Sequence, residues 1–299
     1  MDETRNFLKS LGLPDRDLYD LPTSQESFSD GGQYRFEVPG IQTPEAMNAL
    51  LEEIDRIGFY IHRITQTKGI MLLTDHEIEE MVSLAEQWQV DLVLAIGPRA
   101  TYDTSASVHT PEGQRMGYRL RGQEQIVRAV EDVKRAAILG CRSFLVYDEG
   151  CLWILNEARK SGFIPKDSKF KVSAHCGHGN PCSAKLLENL GANSINPVRD
   201  IQLQMLASLR NAVDIPLDIH AENPNSSGGF IRHYEVPEMV RIAAPIYLKV
   251  GGSIAKTHSW ETSIEEAKRR AKQVILVQRM IQKYYDKAVM SPKVPLNNA

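Results

Sequence analysis

Residues 169–221, KFKVSAHCGHGNPCSAKLLENLGANSINPVRDIQLQMLASLRNAVDIPLDIHA, decide the fold. The stretch repeats one unit: a short β-rich run (169–175), a polar loop and an amphipathic helix (182–190), then a run (192–197), a helix (200–212) and a third run (215–221). Strands that alternate strictly with helices lie parallel and are joined by crossover helices. Working outward, the pattern continues in both directions. Runs at 33–38, 59–65, 91–97 and 142–148 precede it, and 245–250 follows; helices are expected at 44–57, 75–88, 122–139, 151–161, 236–243 and 263–287.

Eight alternations are the number at which a parallel sheet closes into a (β/α)8 TIM barrel. An open doubly wound sheet also alternates, but no G-x-G-x-x-G turn follows the first run, so the α/β barrel is the expected fold class. The expected organisation is an N-terminal arm over residues 1–30, the barrel over 31–290 and a tail over 291–299. Local punctuation agrees. Gly58, Gly140, Gly162 and Gly191 stand where helices end, and Thr74 with Glu77 and Ser263 with Glu266 have capping-box spacing. Pro44 suits a first helical turn, after which Met47, Leu50, Leu51 and Ile54 form one apolar stripe.

Composition sets outer bounds. The chain has 299 residues, 24% of them charged and 42% hydrophobic, which is ordinary for a globular protein and long enough for a large core. With 35 basic against 38 acidic residues and no long run of one sign, neither a nucleic-acid partner nor a membrane surface is indicated. No apolar stretch approaches the roughly 18 residues of a membrane span. The start, MDETRNFLKS, lacks an apolar signal core, and four cysteines are too few for a disulfide scaffold, so a cytoplasmic location is expected.

In either parallel architecture the ligand site lies at the carboxyl ends of the strands. Those ends are unusually polar here: Glu37; His62 and Arg63; Arg99; Asp148 and Glu149; His175, Cys176 and His178; Asn196 and Arg199; Asp218, His220, Glu222 and Asn223; Lys249 with Gly251, Gly252 and Ser253. Alternation puts Asp218, His220 and Glu222 on one face, and Tyr247 with Lys249, Ser173 with His175, and Arg35 with Glu37 on theirs. The opposite faces are apolar and should meet the helices, so the polar faces point inward. Burying that many charges with nothing to bind would be costly.

The expected catalytic set is therefore His175, His220, Glu222 and Lys249. Imidazole titrates near neutrality, a carboxylate can be tuned towards it, and a desolvated lysine can form a Schiff base or neutralise an anion, the second being the expected role of Lys249. His175, His220 and Glu222 also have the chemistry to hold a divalent metal, the one cofactor this reading admits. The expected binding residues are Glu37, His62, Arg63, Arg99, Asn196, Arg199 and Asn223, with Ser227, Gly228 and Gly229 in one glycine-rich turn and Gly251, Gly252 and Ser253 in another, where backbone amides can approach an anion. Arg99, Tyr102, Asp103, Arg115, Tyr118, Arg119 and Arg121 mark the long connection as a lid closing on an anionic ligand. The segment HCGHGNPC, residues 175–182, lacks the spacing of a zinc finger. Cys176 as a nucleophile is hindered because alternation turns it away from His175.

The run of motifs QYRFEVPG, IHRITQTKGIMLL, GPRATYDTSA, VYDEG, VSAHCGHGNP, NPVRD, IPLDIHAENPNSSGGF and YLKVGGS, spread over about residues 30–255, resembles bacterial barrel proteins labelled peptidase U32-like. The resemblance implies a barrel and a soluble bacterial protein. The cysteine-rich signature of U32 peptidases has no counterpart: Cys141, Cys151, Cys176 and Cys182 are scattered, so neither an iron–sulfur site nor a catalytic residue carries over. Three functions remain. The first is a lyase, aldolase or isomerase acting on a small anionic (carboxylate or phosphate) metabolite. The second is a U32-like hydrolase using a metal or Cys176, and the third a non-catalytic small-ligand barrel. The last helix, with Ile275, Leu276, Val277, Met280 and Ile281, is apolar enough to pack on a second copy in a homo-oligomer.

Overall fold

The computed structural model describes residues 1–99, 109–114, 117–255 and 261–293. Eight parallel strands close into a barrel in chain order. They are β1 (Tyr34–Pro39), β2 (Arg63–Gln66), β3 (Asp91–Ala95), β4 (Ser143–Val146), β5 (Lys169–Val172), β6 (Ser194–Ile195), β7 (Leu217–His220) and β8 (Ile246–Lys249). The ring is sealed where β1 pairs with β8, from Tyr34 opposite Ile246 to Glu37 opposite Lys249.

Helix α1 (Asp2–Ser10) precedes the barrel. Outside the strands lie α2 (Pro44–Arg56), α3 (Asp75–Trp88), a single turn α4 (Pro111–Gln114), α5 (Gly122–Ile138), α6 (Glu149–Ser161), α7 (Pro181–Asn189), α8 (Leu203–Ala212), α9 (Val236–Ala243) and α10 (Ile264–Tyr284). Both expected capping boxes form, at Thr74–Glu77 and Ser263–Glu266, satisfying amides that a helix start leaves unpaired. Of the last helix, Val274, Val277 and Ile281 are spent within the chain, buried in the main core. Among the described residues no helix is long and apolar enough to cross a membrane.

The main apolar core lies between sheet and helices, where Phe36, Phe144, Phe170, Ile64, Ile219 and Leu248 point outward from their strands. The barrel interior divides in two. On the β3–β4 side it is apolar, with Val93, Ala95, Leu145 and Tyr147. Elsewhere it is charged. Lys171 pairs with Glu37 and lies 3.5 Å from Asp218, and Arg63 reaches Asp218 at 3.1 Å and Asp91 at 2.8 Å. The Arg63 guanidinium also stacks 3.5 Å over the ring of Tyr247. A barrel core is ordinarily filled with Val, Ile and Leu. Charges can replace them here because each has a partner of opposite sign.

The N-terminal rim is closed by the chain ends. Arg35 lies 4.0 Å over Phe28, donates to Tyr247 Oη at 2.9 Å and pairs with Asp30 at 2.8 Å. Ser291, fully buried, donates its hydroxyl to Asp30 and its amide to the Tyr34 carbonyl. His62 belongs to this rim: Nδ1 accepts from the Phe36 amide at 3.0 Å and Nε2 donates to the Ser291 carbonyl at 2.9 Å. Burial pushes its pKa down to about 4. The expectation that His62 binds ligand is therefore corrected. Its strand starts at Arg63, not at 59, so His62 lies at the end remote from the mouth.

Asp218 answers both Arg63 and Lys171, and truncating one member of a buried pair leaves charge uncompensated. Asp218→Ala should lower stability by about 3–5 kcal/mol, read as a lower urea midpoint; an unchanged midpoint would contradict the pairing.

Candidate active site

At the carboxyl ends of the strands the barrel opens into a hollow of about 220 Å³. That is smaller than the roughly 300–1,000 Å³ of sites for drug-sized ligands, so it suits a small metabolite. Lys249, the last residue of β8, and His220, the last of β7, reach it from below together with Asn196, just after β6. The Asn196 amide is oriented by its own donors: Nδ2 bonds the carbonyls of Asp218 at 2.7 Å and Pro197 at 3.3 Å. Oδ1 is thereby left to accept from Lys249 Nζ at 2.7 Å and from His220 Nε2 at 3.2 Å. This network assigns the His220 proton to Nε2. Burial, reinforced by the charges of Lys249, Arg199 and Lys171, holds the His220 pKa well below its ordinary value, so the ring is neutral.

Beneath the floor, Glu37 Oε1 lies 3.5 Å from Lys249 Nζ and accepts from Thr65 Oγ1 at 2.9 Å, while Oε2 is taken by Lys171. Burial opposes ionisation of Glu37, but Lys171, Lys249 and Arg63 together hold its carboxyl well below the usual range. Lys249 gets only a share of that carboxylate. Burial first, then the charge of Lys171, lowers the Lys249 pKa to about 7, with Glu37 and Asp218 offsetting only part of the shift.

The wall towards β4–β6 is aromatic and cationic. His175 sits in a 3₁₀ turn (Ala174–Cys176) beyond the shortened β5, stacks on Tyr118 with ring centres 3.8 Å apart, and accepts at Nε2 from Arg199 Nη2 at 2.9 Å. Arg99 lies 4.6 Å over Tyr147 and donates to the carbonyls of Thr67 at 3.1 Å and Lys68 at 3.3 Å. Of the lid residues, Tyr118 lines the hollow, Arg119 pairs with Glu149 behind it, and Tyr102, Asp103 and Arg115 lie outside the described residues. Lys68, Arg99, Arg199, Lys249 and Arg270 line the hollow, and no Asp or Glu does so among the described residues. A small concavity with one sign of charge concentrates ligands of the other sign.

Of the expected residues, His175, His220, Lys249, Arg99, Asn196, Arg199, Asn223 and Gly252 converge on the hollow. Others do not. Glu37 is buried beneath the floor, and Arg63 sits lower still, in the charged interior. Glu222 lies beyond the end of β7, and its carboxylate accepts from the Gly251 amide and the Ser253 hydroxyl. Burial opposes its ionisation, but His233, 3.6 Å away, and the bonds from Ser253 and Gly251 outweigh this and lower its pKa. Glu222, Gly251 and Ser253 thus fix the β8 turn and do not line the hollow. The metal set of His175, His220 and Glu222 is not assembled; among the described residues no three His, Cys, Asp or Glu are grouped to hold an ion. Ser227, Gly228 and Gly229 also lie off the hollow, their amides bonded to the carbonyls of Pro224 and Asn225 within their own turn. Cys176 is no nucleophile: its thiol points to the Val146 carbonyl at 3.7 Å, and burial raises its pKa. His178 is taken by Glu149 at 2.5 Å.

Among the participants that escaped the sequence reading are Lys68 and Tyr147, on the lining of the hollow, and the two charged residues Lys171 and Arg270. Lys171 alternates with Ser173 along β5, a signal that was present but overshadowed by the histidines at the strand's end. Arg270 comes from α10, where an arginine reads as solvent-facing, and nothing local marks it.

Competitive acetylation read by peptide mass spectrometry should place half-reaction of Lys249 near pH 7. Lys171→Met removes a repelling charge and should move the midpoint up. Glu37→Gln removes an attracting one and should move it down. A wild-type midpoint near that of surface lysines would overturn this account of the floor.

No family model and no curated protein matches the sequence. Solved structures are similar in fold. A U32 peptidase is 15% identical, covering 68% of this chain and 73% of its own, with a TM-score of 0.42. A native KDPGal structure is 12% identical over 84% of this chain and 96% of its own, TM-score 0.49. Deoxyribose phosphate aldolase from Aeropyrum pernix is 13% identical over 81% of this chain and 90% of its own, TM-score 0.45. What the chain has in common with them is the barrel, and the resemblance of its motifs to U32-like proteins is met at that level.

Proposed function

We propose that the protein is a lyase of aldolase type, or an isomerase, that acts on a small anionic carbonyl compound through the amine of Lys249. The observation that carries this reading is one desolvated lysine on the floor of a hollow whose other charged lining residues, among those described, are cations. A neutral amine is the nucleophilic form, and a pKa near 7 keeps much of it unprotonated at neutral pH.

In this reading the cationic wall of Arg99 and Arg199 holds the anionic group and turns the carbonyl carbon towards Nζ. The Lys249 lone pair forms a C–N bond, one proton passes from the nitrogen to the former carbonyl oxygen, and a second, from solvent, lets that oxygen leave as water, so that an iminium remains. That cation takes up the electron pair of a bond to the adjacent carbon: either a C–C bond breaks as the departing fragment's hydroxyl gives up its proton and becomes a carbonyl, or a C–H proton leaves. The enamine formed is protonated again on carbon, and water hydrolyses the iminium to regenerate the amine. Asn196 Oδ1 accepts one N–H of Lys249 and steadies the lone pair for attack. His175, whose Nε2 accepts from Arg199, steadies that guanidinium against the anionic group, and His220 is a neutral donor that keeps Asn196 in place. The hydrolase reading has lost Cys176 as its nucleophile.

Borohydride added with pyruvate, or separately with dihydroxyacetone phosphate, should leave a reduced adduct on Lys249 by intact and peptide mass. Lys249→Arg should abolish it. No adduct with either probe, or an adduct that survives Lys249→Arg, would reject the imine route.

A further inference from the structure

Around the closed ring, β8 and β1 stand opposite β4 and β5. Arg99, Tyr147, His175 and Arg199 occupy the wall from β3 to β6; Arg270 enters the same hollow from α10, on the β8–β1 side. We infer that the ligand carries two anionic ends, one held by the Arg99–Arg199 wall and the second by Arg270, with its reacting carbon between them above Lys249. The inference deepens the proposed function by naming the class of ligand, a dicarboxylate or phospho-carboxylate, and assigns Arg270 as a binding residue.

The Arg270 site is built, not incidental. The side chain is 4% exposed, yet Nε has no hydrogen-bond partner. Its one hydrogen bond is from Nη1 to the Pro39 carbonyl, and no carboxylate pairs with it among the described residues. A buried guanidinium with donors to spare is expensive unless an anion completes it. Space is kept for it by two glycines in the left-handed region. A Cβ at Gly251 (φ +88°) would stand 2.8 Å from the Arg270 stem, and one at Gly40 (φ +74°) 3.0 Å from Nη1. Next to Gly251, Gly252 also lines the hollow, and its own Cβ would meet the Glu222 carbonyl at 2.9 Å. Thr262, whose hydroxyl donates to the Gly40 carbonyl, anchors the start of α10 against the mouth. Burial lowers the Arg270 pKa only to about 10, so it is a cation at neutral pH.

Calorimetric titration of the intact chain with succinate and with propionate tests this. Succinate should bind at least about tenfold tighter, as expected for one added charge-assisted contact. Arg270→Met should erase the preference and leave propionate binding unchanged, and Arg270→Lys should keep part of it. Equal binding of both probes by the wild type overturns the inference, as does an Arg270→Met chain that folds but loses both probes alike, the mark of a merely structural arginine. If Arg270→Met does not fold, the wild-type comparison across malonate, succinate and glutarate decides: a preferred length supports two fixed anion sites, and indifference to length refutes them. The outcome is separable from that of imine trapping. Tight succinate binding without any adduct keeps the two-ended ligand and discards the Lys249 chemistry.

Discussion

Sharing of Glu37 between two lysines is the interaction on which the rest depends. Charges deep in a protein persist only when partners replace the water they lose. In this barrel Arg63 and Lys171 obtain such partners in Asp91, Asp218 and Glu37. Lys249 comes last: Glu37 is already engaged by Lys171 and Thr65, and the remaining contact, 3.5 Å, is the weaker one. The network that permits a polar barrel interior thus leaves one amine under-compensated, at the level where the hollow begins. The cost of the buried charges and the lowered pKa of Lys249 have the same origin.

The hollow itself extends this logic. Arg99 donates to two backbone carbonyls, Arg199 to the imidazole of His175 and Arg270 to the Pro39 carbonyl. Among the described residues that line the hollow the charged side chains are cations, which is why the proposed ligand is an anion. Glu222, an acidic side chain close to the mouth, is turned onto the Gly251–Ser253 turn. It shapes the backbone of the site, and its charge, with that of Glu266, partly offsets the burial of Arg270.

The fold was legible because its signals are local and repeated: strand–helix alternation, capping boxes and helix-ending glycines. The inward placement of Asp218, His220, Tyr247 and Lys249 followed from the two-residue period of strands, since apolar residues between them must meet the helices. Reading failed where a strand boundary moved. A β2 that starts at Arg63 puts His62 at the wrong end, and a β7 that stops at His220 frees Glu222 to turn aside. Glycine-rich turns looked alike in sequence, yet in one the amides serve the turn itself, while the other approaches the mouth. Arg270 was beyond reach because its position depends on how α10 packs against the rim, a tertiary fact with no periodic signature.

The most direct test of the central claim is the protonation of Lys249 in the folded, unliganded protein. Neutron diffraction from a deuterated crystal at pH 8.5 shows the hydrogens on Nζ without chemical modification. Two deuterons on Lys249 Nζ, one directed at Asn196 Oδ1, is the result this account requires. Three deuterons, forming a full ion pair with Glu37, would contradict it.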